Sequence, residues 1–240
     1  MFQSPQPTRF DLNFTLAGIP VRVHPLFWVL VLFLGIGSGN IVQILIWLGV
    51  VFISILVHEL GHALAFRRYE VDSYIVLHMM GGLTIPISTP FGGGWTNAAP
   101  TPRQQINISL AGPFAGFILA GLIVAGVVFS GGTISLLPFS ISLPFGGQFL
   151  RTIIVLFLWV NIFWGLVNLL PVFPLDGGQV ARNFLIQFDP LDGTRKSLWL
   201  STVTGAAIGL AALYYLGSVY MAILFGYLAL QSYQALGARY

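Results

Sequence analysis

The segment Ile53–Phe66, ISILVHELGHALAF, places two histidines and one glutamate inside an otherwise apolar stretch. Residues four apart on a helix share one face, so His58 and His62 can direct their imidazoles at the same point. Ionisable side chains at membrane depth are costly and usually functional. The pattern His-Glu-x-x-His is typical of helices that bind one zinc ion (Zn2+) through both imidazoles, with the glutamate, here Glu59, as general base. The alternative is a pair of core histidines satisfied by hydrogen bonds.

The composition excludes a water-soluble globular fold. Of 240 residues, 56% are hydrophobic and only 7% are charged, whereas a soluble domain carries about 25% charged residues. The ten basic residues are scattered and form no stripe, so we expect no nucleic-acid partner. Cysteine is absent, which excludes thiolate ligands and a cysteine nucleophile. The expected surroundings are the lipid bilayer.

Apolar stretches of membrane length recur along the chain. A helix needs about 20 apolar residues to cross the hydrocarbon core. Six stretches are candidates: Leu26–Gly37, Ile41–Phe66, Ile106–Phe129, Thr152–Leu170, Leu198–Leu216 and Val219–Leu236. A turn at Gly37–Asn40 separates the first two. The sequence therefore predicts an all-α polytopic membrane protein with about six transmembrane helices.

Two segments outside these helices have the pattern of β-strands. Phe10–Val23 alternates apolar and polar residues around a turn at Ala17-Gly18, which predicts a small N-terminal β-hairpin. A membrane-associated β-like loop is expected at Gly81–Ser88, after the second helix. An exposed strand edge there would pair with an unwound substrate by strand addition. The candidate substrate-binding residues are Gly82, Leu83, Thr84 and Ile85.

The basic residues predict an orientation in the membrane. With six spans, both termini and the even-numbered loops share one side, which collects nine of the ten Lys and Arg residues. Only Arg151 falls on the other side. Basic loops stay in the cytoplasm, so both termini are expected there. His58 and His62 then lie toward the cytoplasmic face.

A catalytic zinc takes three protein ligands and one water molecule, so the two histidines need a third partner. From the residues alone, the candidates are His78, Glu70, Asp72 and Asp176. Asp176 follows two prolines that interrupt a regular helix, and it can turn into the helix bundle. An ordinary turn aspartate before glycine explains it equally well. The third ligand therefore stays open at this point.

Small and amide side chains in the third and fourth spans suggest close helix packing. Glycines recur every four or five residues in the third span, which predicts close approach to the helix with the histidines. These glycines are Gly112, Gly116, Gly121 and Gly126. In the fourth span, Asn161 and Asn168 are seven residues apart on one face. Each of them fits an amide that ties helices together, and Asn168 equally fits a donor to the substrate or the oxyanion.

Two motifs together resemble the site-2 protease family of intramembrane zinc metalloproteases. They are VHELGHALAF (residues 57–66) and NLLPVFPLDGG (residues 168–178), and SLAGPFAG and MGGLT between them also resemble family segments. The resemblance implies His58, His62 and Asp176 as zinc ligands and Glu59 as the carboxylate that deprotonates a zinc-activated water. It also implies that Asn168 supports catalysis.

The resemblance also implies the setting of the reaction. Substrates would be membrane proteins with a transmembrane segment, cleaved in or near that segment, in the plasma membrane of a prokaryote. Residues 1–240 are expected to form one metalloprotease domain, with a catalytic core at about 10–180 and a C-terminal helical hairpin at about 198–236. We expect neither a PDZ nor a CBS domain, because no segment has the required length.

Two other functions use the same residues. A metal-ion transporter or channel would use the histidines as a permeation site. A proteolytically inactive relative would keep the fold as a membrane scaffold. The intact Glu59 and the Asn-Pro-Asp-Gly motif favour the protease.

Overall fold

Long apolar helices make up most of the described chain. The computed structural model describes residues 5–36, 40–79, 81–87, 100–136 and 139–237, without the side chains of residues 136 and 139. The helices are α1 Pro25–Gly35, α2 Ile41–Arg68, α3 Pro102–Phe129, α4 Gly147–Trp159, α5 Gly165–Asn168, α6 Asp176–Phe188, α7 Gly193–Leu216 and α8 Val219–Gly237. Within the described residues, α2, α3, α7, α8 and the helix Gly147–Asn168 are long and apolar enough to cross a membrane. The chain is therefore an integral membrane protein.

The first predicted span is a short helix, as its apolar stretch Leu26–Gly37 indicates. Helix α1 has 11 residues, which span about 16 Å, whereas the hydrocarbon core is about 30 Å thick. Its last turn packs on α2, where Trp47 Nε1 donates a hydrogen bond to the Val31 carbonyl at 3.0 Å. Five long helices and one short one thus correspond to the six predicted spans in the described part. Residues 37–39 of the predicted turn lie outside it.

Contacts within the chain form two compact units. The first comprises Met1–Asn97 and Ala111–Gly165, and the second comprises Ala98–Leu110 and Leu166–Tyr240. This division describes packing only. The single catalytic domain, its core at about 10–180 and the absence of PDZ and CBS domains stay predictions.

A four-stranded sheet in the first unit contains both predicted β segments. The strands are β1 Leu12–Leu16, β2 Ile19–Val23, β3 Ser73–His78 and β4 Gly81–Pro86, in the order β1-β2-β3-β4. The predicted hairpin is confirmed, with φ of 50° at Ala17 and 76° at Gly18, as a type I′ turn requires. Strands β2 and β3 pair in parallel, and α1 and α2 form the crossover between them.

The region between α3 and α4 contains a second, two-stranded sheet. It consists of β5 Thr133–Leu136 and β6 Phe139–Ser142, paired antiparallel. The sequence predicted no strands here, because apolar residues broken by Gly and Pro carry no clear alternation.

One apolar core joins the four-stranded sheet to α1 and α2. Side chains of β2, β3, α1 and α2 in this core are at most 3% exposed. They are Val21, Val23, Phe27, Val31, Val50, Ile75 and Leu77. The sheet is therefore fixed to the helix that carries the histidines. This packing sets where β4 lies relative to α2.

A π-helical turn interrupts the fourth membrane helix. Val160–Trp164 forms this turn between α4 and α5, a feature frequent at functional sites. Asn161, which is 4% exposed, donates one amide hydrogen to Ser54 Oγ of α2 at 2.9 Å and the other to the Phe157 carbonyl at 2.8 Å. Its side chain also lies beside Gly116 of α3. Asn161 is thus a link between three membrane helices.

In the second unit, α7 and α8 form the predicted helical hairpin. Gly217, with φ of 60°, ends α7, and α8 begins two residues later. Gly205 and Gly209 of α7 lie against α8. Phe225 and Leu228 of α8 bury Val172, in the segment that precedes α6. The sequence did not predict α6. Asp176 is the first residue of this helix and does not lie on irregular backbone.

The Asn161–Ser54 hydrogen bond is expected to stabilise the first unit. A double-mutant cycle of Asn161→Ala and Ser54→Ala in detergent should give a coupling energy of about 0.5–1.5 kcal/mol, the range for hydrogen bonds between membrane helices. The measurement is the free energy of unfolding of the four proteins. Additivity within about 0.3 kcal/mol would show that the bond contributes nothing.

Candidate metal centre

The last turns of α2 bring three ionisable side chains together. His58, Glu59 and His62 are 8%, 6% and 7% exposed. Each can offer one ligand atom such that these atoms lie within 4.8 Å of one another. Such burial of two imidazoles and a carboxylate in an apolar helix requires partners for them. The local prediction from the His-Glu-x-x-His spacing therefore agrees with the geometry.

The distance between the two imidazoles fits a shared metal ion. His58 Nε2 and His62 Nε2 are 3.2 Å apart. Two nitrogen ligands about 2.05 Å from a tetrahedral ion lie about 3.3 Å from each other. A hydrogen bond between the rings would span the same distance. The residues around the two nitrogens therefore distinguish a metal site from a hydrogen-bonded pair.

Helix α3 faces these two nitrogens with a glycine. A Cβ atom on Gly112 would collide with His62 Nε2 and would lie 2.8 Å from His58 Nε2. Only a residue without a side chain leaves that space free in front of both ring nitrogens. Of the predicted glycine stripe, Gly112 and Gly116 make close contacts, whereas a Cβ on Gly121 or Gly126 would meet nothing within 4 Å. Of these four glycines, only Gly112 therefore lies at the site, and Gly116 packs beside Asn161.

Strand β4 covers Glu59. Thr84 Oγ1 donates a hydrogen bond to Glu59 Oε2 at 2.7 Å, and it lies 3.0 Å from the Glu59 carbonyl oxygen. A Cβ on Gly82 would collide with the Glu59 side chain. Gly82 and Thr84 therefore face α2, while Leu83 and Ile85 alternate to the other face of the strand. The sequence offered no signal for this long-range contact.

Three other candidate ligands lie elsewhere in the first unit. Glu70 and Asp72 are exposed just after α2. His78 ends β3 and is buried; this burial, with the charges of His24 and Arg22, holds the pKa of His78 below its ordinary value. Within the described first unit, none of them belongs to the group formed by His58, Glu59 and His62.

Asp176 and Asn168 belong to the second unit. Asp176 is the first residue of α6, and Gly177 and Gly178 pack directly on the backbone of residues 169–173. The preceding segment is held by a hydrogen bond from the Phe173 N–H to Ser201 Oγ of α7 at 3.0 Å. Asn168 ends α5 and is buried. Their roles as ligand and catalytic residue stay predictions.

Two similar proteins have names that contain "zinc metalloprotease". The chain is 29% identical over 72% of its length to "Zinc metalloprotease MJ0392" of Methanocaldococcus jannaschii, of which it covers 44%. It is 31% identical over 71% of its length to Rip3 of Mycobacterium tuberculosis, of which it covers 35%. The chain thus spans less than half the length of these curated relatives.

The fold and the sequence profile agree with these relatives. The structure of "Site-2 Protease from Methanocaldococcus jannaschii" matches with a TM-score of 0.56 and 22% identity, covering 95% of both chains; at this identity the match shows the fold alone. The profile of Peptidase family M50 matches residues 46–211. That range is more than half of the chain and includes both sequence motifs, so the chain belongs to peptidase family M50, the site-2 protease family.

Proposed function

We propose that this protein is a zinc endopeptidase that hydrolyses peptide bonds in or near the transmembrane segments of membrane proteins. The observation that carries the proposal is the arrangement of His58, Glu59 and His62, buried between Gly112 of α3 and strand β4. Relatives named as zinc metalloproteases support the same activity.

The residues fit a zinc ion in chemistry and in space. His58 and His62 would hold it through Nε2, because Gly112 leaves the space before these atoms free. Asp176 would be the third protein ligand, supported by the Asp-Gly motif and by the tight backbone after it. When bound, zinc supplies a Lewis acid that lowers the pKa of water and polarises a carbonyl.

Glu59 would move the proton in the reaction. Its carboxylate is next to the imidazole pair and is fixed by Thr84. It would accept a proton from the attacking water and later give it to the amine that leaves. Asn168 would position the substrate backbone or donate a hydrogen bond to the oxyanion.

The site lies close to the charged end of α2. His62 is six residues before Arg68, and both Arg67 and Arg68 are exposed, so the metal site would lie about 9 Å along the helix from these charges. Charged side chains mark the aqueous boundary, which would give water access to the site. With α1 counted as a span, the distribution of basic residues favours cytoplasmic termini, and the resemblance to the family would place the protein in the plasma membrane of a prokaryote.

The outer edge of β4 would receive the substrate. Within the described residues, β4 is the last strand of its sheet. Ile87 donates to the Asp72 carbonyl at 2.7 Å, and the Leu77 carbonyl accepts from His24 in the direction of β2. Because bonding directions alternate along a strand, Leu83 and Ile85 bond to β3. The backbone groups of Gly82 and Thr84 therefore point away from β3.

This edge suits an unwound substrate. A helical carbonyl is hydrogen-bonded and sterically covered, so a helical segment must extend before it can be cleaved. Gly82 and Thr84 offer two N–H groups and two carbonyls to an extended strand, and Pro86, which has no N–H, limits the edge. The partner would be a single-span membrane protein.

Replacing Glu59 with glutamine tests the chemistry. Glutamine keeps the shape and cannot accept the proton, so Glu59→Gln should retain zinc and lose at least about 100-fold in cleavage. Zinc content and the cleavage of transmembrane segments in a membrane proteome are measured together. Equal cleavage by both proteins, with zinc bound in both, would contradict the protease. Metal flux in proteoliposomes that depends on Glu59 would support a transporter.

Replacing Gly112 with alanine tests the metal site. The added methyl group would occupy the space before both ring nitrogens, so Gly112→Ala should weaken zinc binding by about tenfold or more. Gly121→Ala on the same helix is the matched control, because its Cβ would contact nothing. Zinc per chain and the dissociation constant for zinc are measured. Unchanged binding by Gly112→Ala would place the ion elsewhere.

Backbone methylation of a substrate tests strand addition. A cleavable model peptide is N-methylated at one position at a time near its scissile bond. Since alternate residues of an added strand face its partner, cleavage should fall at every second position and recover between them. Equal sensitivity at all positions would contradict pairing with β4.

A further inference from the structure

The hydroxyl of Thr84 lies between two acceptors of one residue. Its distances are 2.7 Å to Glu59 Oε2 and 3.0 Å to the Glu59 carbonyl oxygen. A hydroxyl has one hydrogen and can donate to one acceptor at a time. The carboxylate is nearer and carries charge, so it is the stronger acceptor. Thr84 therefore holds the carboxylate of Glu59, a side chain with three rotatable bonds.

The Glu59 side chain is confined on a second side. Gly82, two residues before Thr84 on the same face of β4, leaves just enough room for it, since a Cβ there would collide with it. Glu59 is 6% exposed. A glutamate that is free to rotate would spread its carboxylate over several positions. Contact with Gly82 and one hydrogen bond to Thr84 restrict it to a single position.

We propose that Thr84 is a positioning residue for Glu59 and joins the general base to the substrate-binding edge. Its side chain holds the carboxylate, while its backbone N–H and carbonyl point to the outer edge of β4. A substrate paired with that edge would lie at a set distance from the base, because one residue makes both contacts. This inference rests on the proposed function, since it concerns the same reaction.

Two substitutions separate the hydroxyl from the shape of the side chain. Thr84→Val keeps the branched shape and the strand backbone and removes the hydrogen bond. Thr84→Ser keeps the hydroxyl and removes a methyl group. Thr152→Val is the matched control, because within the described residues Thr152 Oγ1 donates to the Gln148 carbonyl of its own helix α4, at 2.9 Å.

The kinetic experiment uses the full chain in detergent and a quenched-fluorescent model peptide of alternating Leu and Ala that the wild type cleaves. Thr84→Val should lower kcat by about 10- to 100-fold, as displaced catalytic groups do, with KM and zinc content unchanged. Thr84→Ser should recover most of the kcat that Thr84→Val loses, and Thr152→Val should stay within about twofold of the wild type. Unchanged kcat in Thr84→Val, or a raised KM with normal kcat, would overturn the proposal.

An infrared measurement on the metal-free protein reports on the hydrogen bond itself. The chain has only two glutamates, Glu59 and Glu70, so protein made with 13C-glutamate shows two labelled carboxylates. Glu59→Gln identifies the band of Glu59. That band should shift in Thr84→Val and return in Thr84→Ser. An unshifted band would overturn the proposal even if the protein is a protease.

Failure of the proposed function gives a different result. A wild type that binds zinc and cleaves no member of a panel of such peptides and membrane proteins would contradict the protease. The infrared bands would then still show whether Thr84 holds Glu59. A shift without proteolysis would overturn the catalytic role of Thr84 while leaving its hydrogen bond in place.

Discussion

The structure around α2 depends on one constraint: three ionisable side chains are buried where charge is costly. His58, Glu59 and His62 are each less than 9% exposed on a helix whose other residues suit lipid. Each needs a partner, because an unpaired polar group in such surroundings costs several kcal/mol. Gly112 allows α3 to close over the imidazoles, and Thr84 bonds to the carboxylate. The neighbouring elements are thus arranged by what these three groups require.

The four-stranded sheet serves this arrangement by placing a strand edge beside the helix that carries the three ionisable side chains. Buried backbone groups need hydrogen-bond partners, and β1 to β3 provide them for one side of β4. Apolar side chains of β2, β3, α1 and α2 form one core, which fixes the sheet to the metal-site helix. The other side of β4 is where the proposed substrate strand would pair with Gly82 and Thr84. The helix with the histidines and the proposed binding edge therefore share one core.

The sequence predicted those features that are local in the chain. The length of the apolar stretches predicted the long helices, and the β-like patterns predicted the hairpin and β4. The four-residue spacing of His58 and His62 predicted that their imidazoles lie together. Contacts between distant residues carry no such periodic signal. The parallel pairing of β2 with β3, the bond from Thr84 to Glu59, and the difference between Gly112 and Gly121 all depend on how helices and strands pack. The unpredicted α6 shows that apolar length alone does not reveal every helix.

The C-terminal hairpin carries neither sequence motif, yet it supports one of them. In the second unit, Ser201 of α7 accepts a hydrogen bond from the Phe173 N–H and donates one to the Ser197 carbonyl, so its hydroxyl joins the two segments. Phe225 and Leu228 of α8 bury Val172. Gly177 and Gly178 then let α6 begin directly against residues 169–173. Both C-terminal helices therefore fix the segment that leads to Asp176, so a chain that lost them would keep the Asp-Gly motif without the packing that positions it.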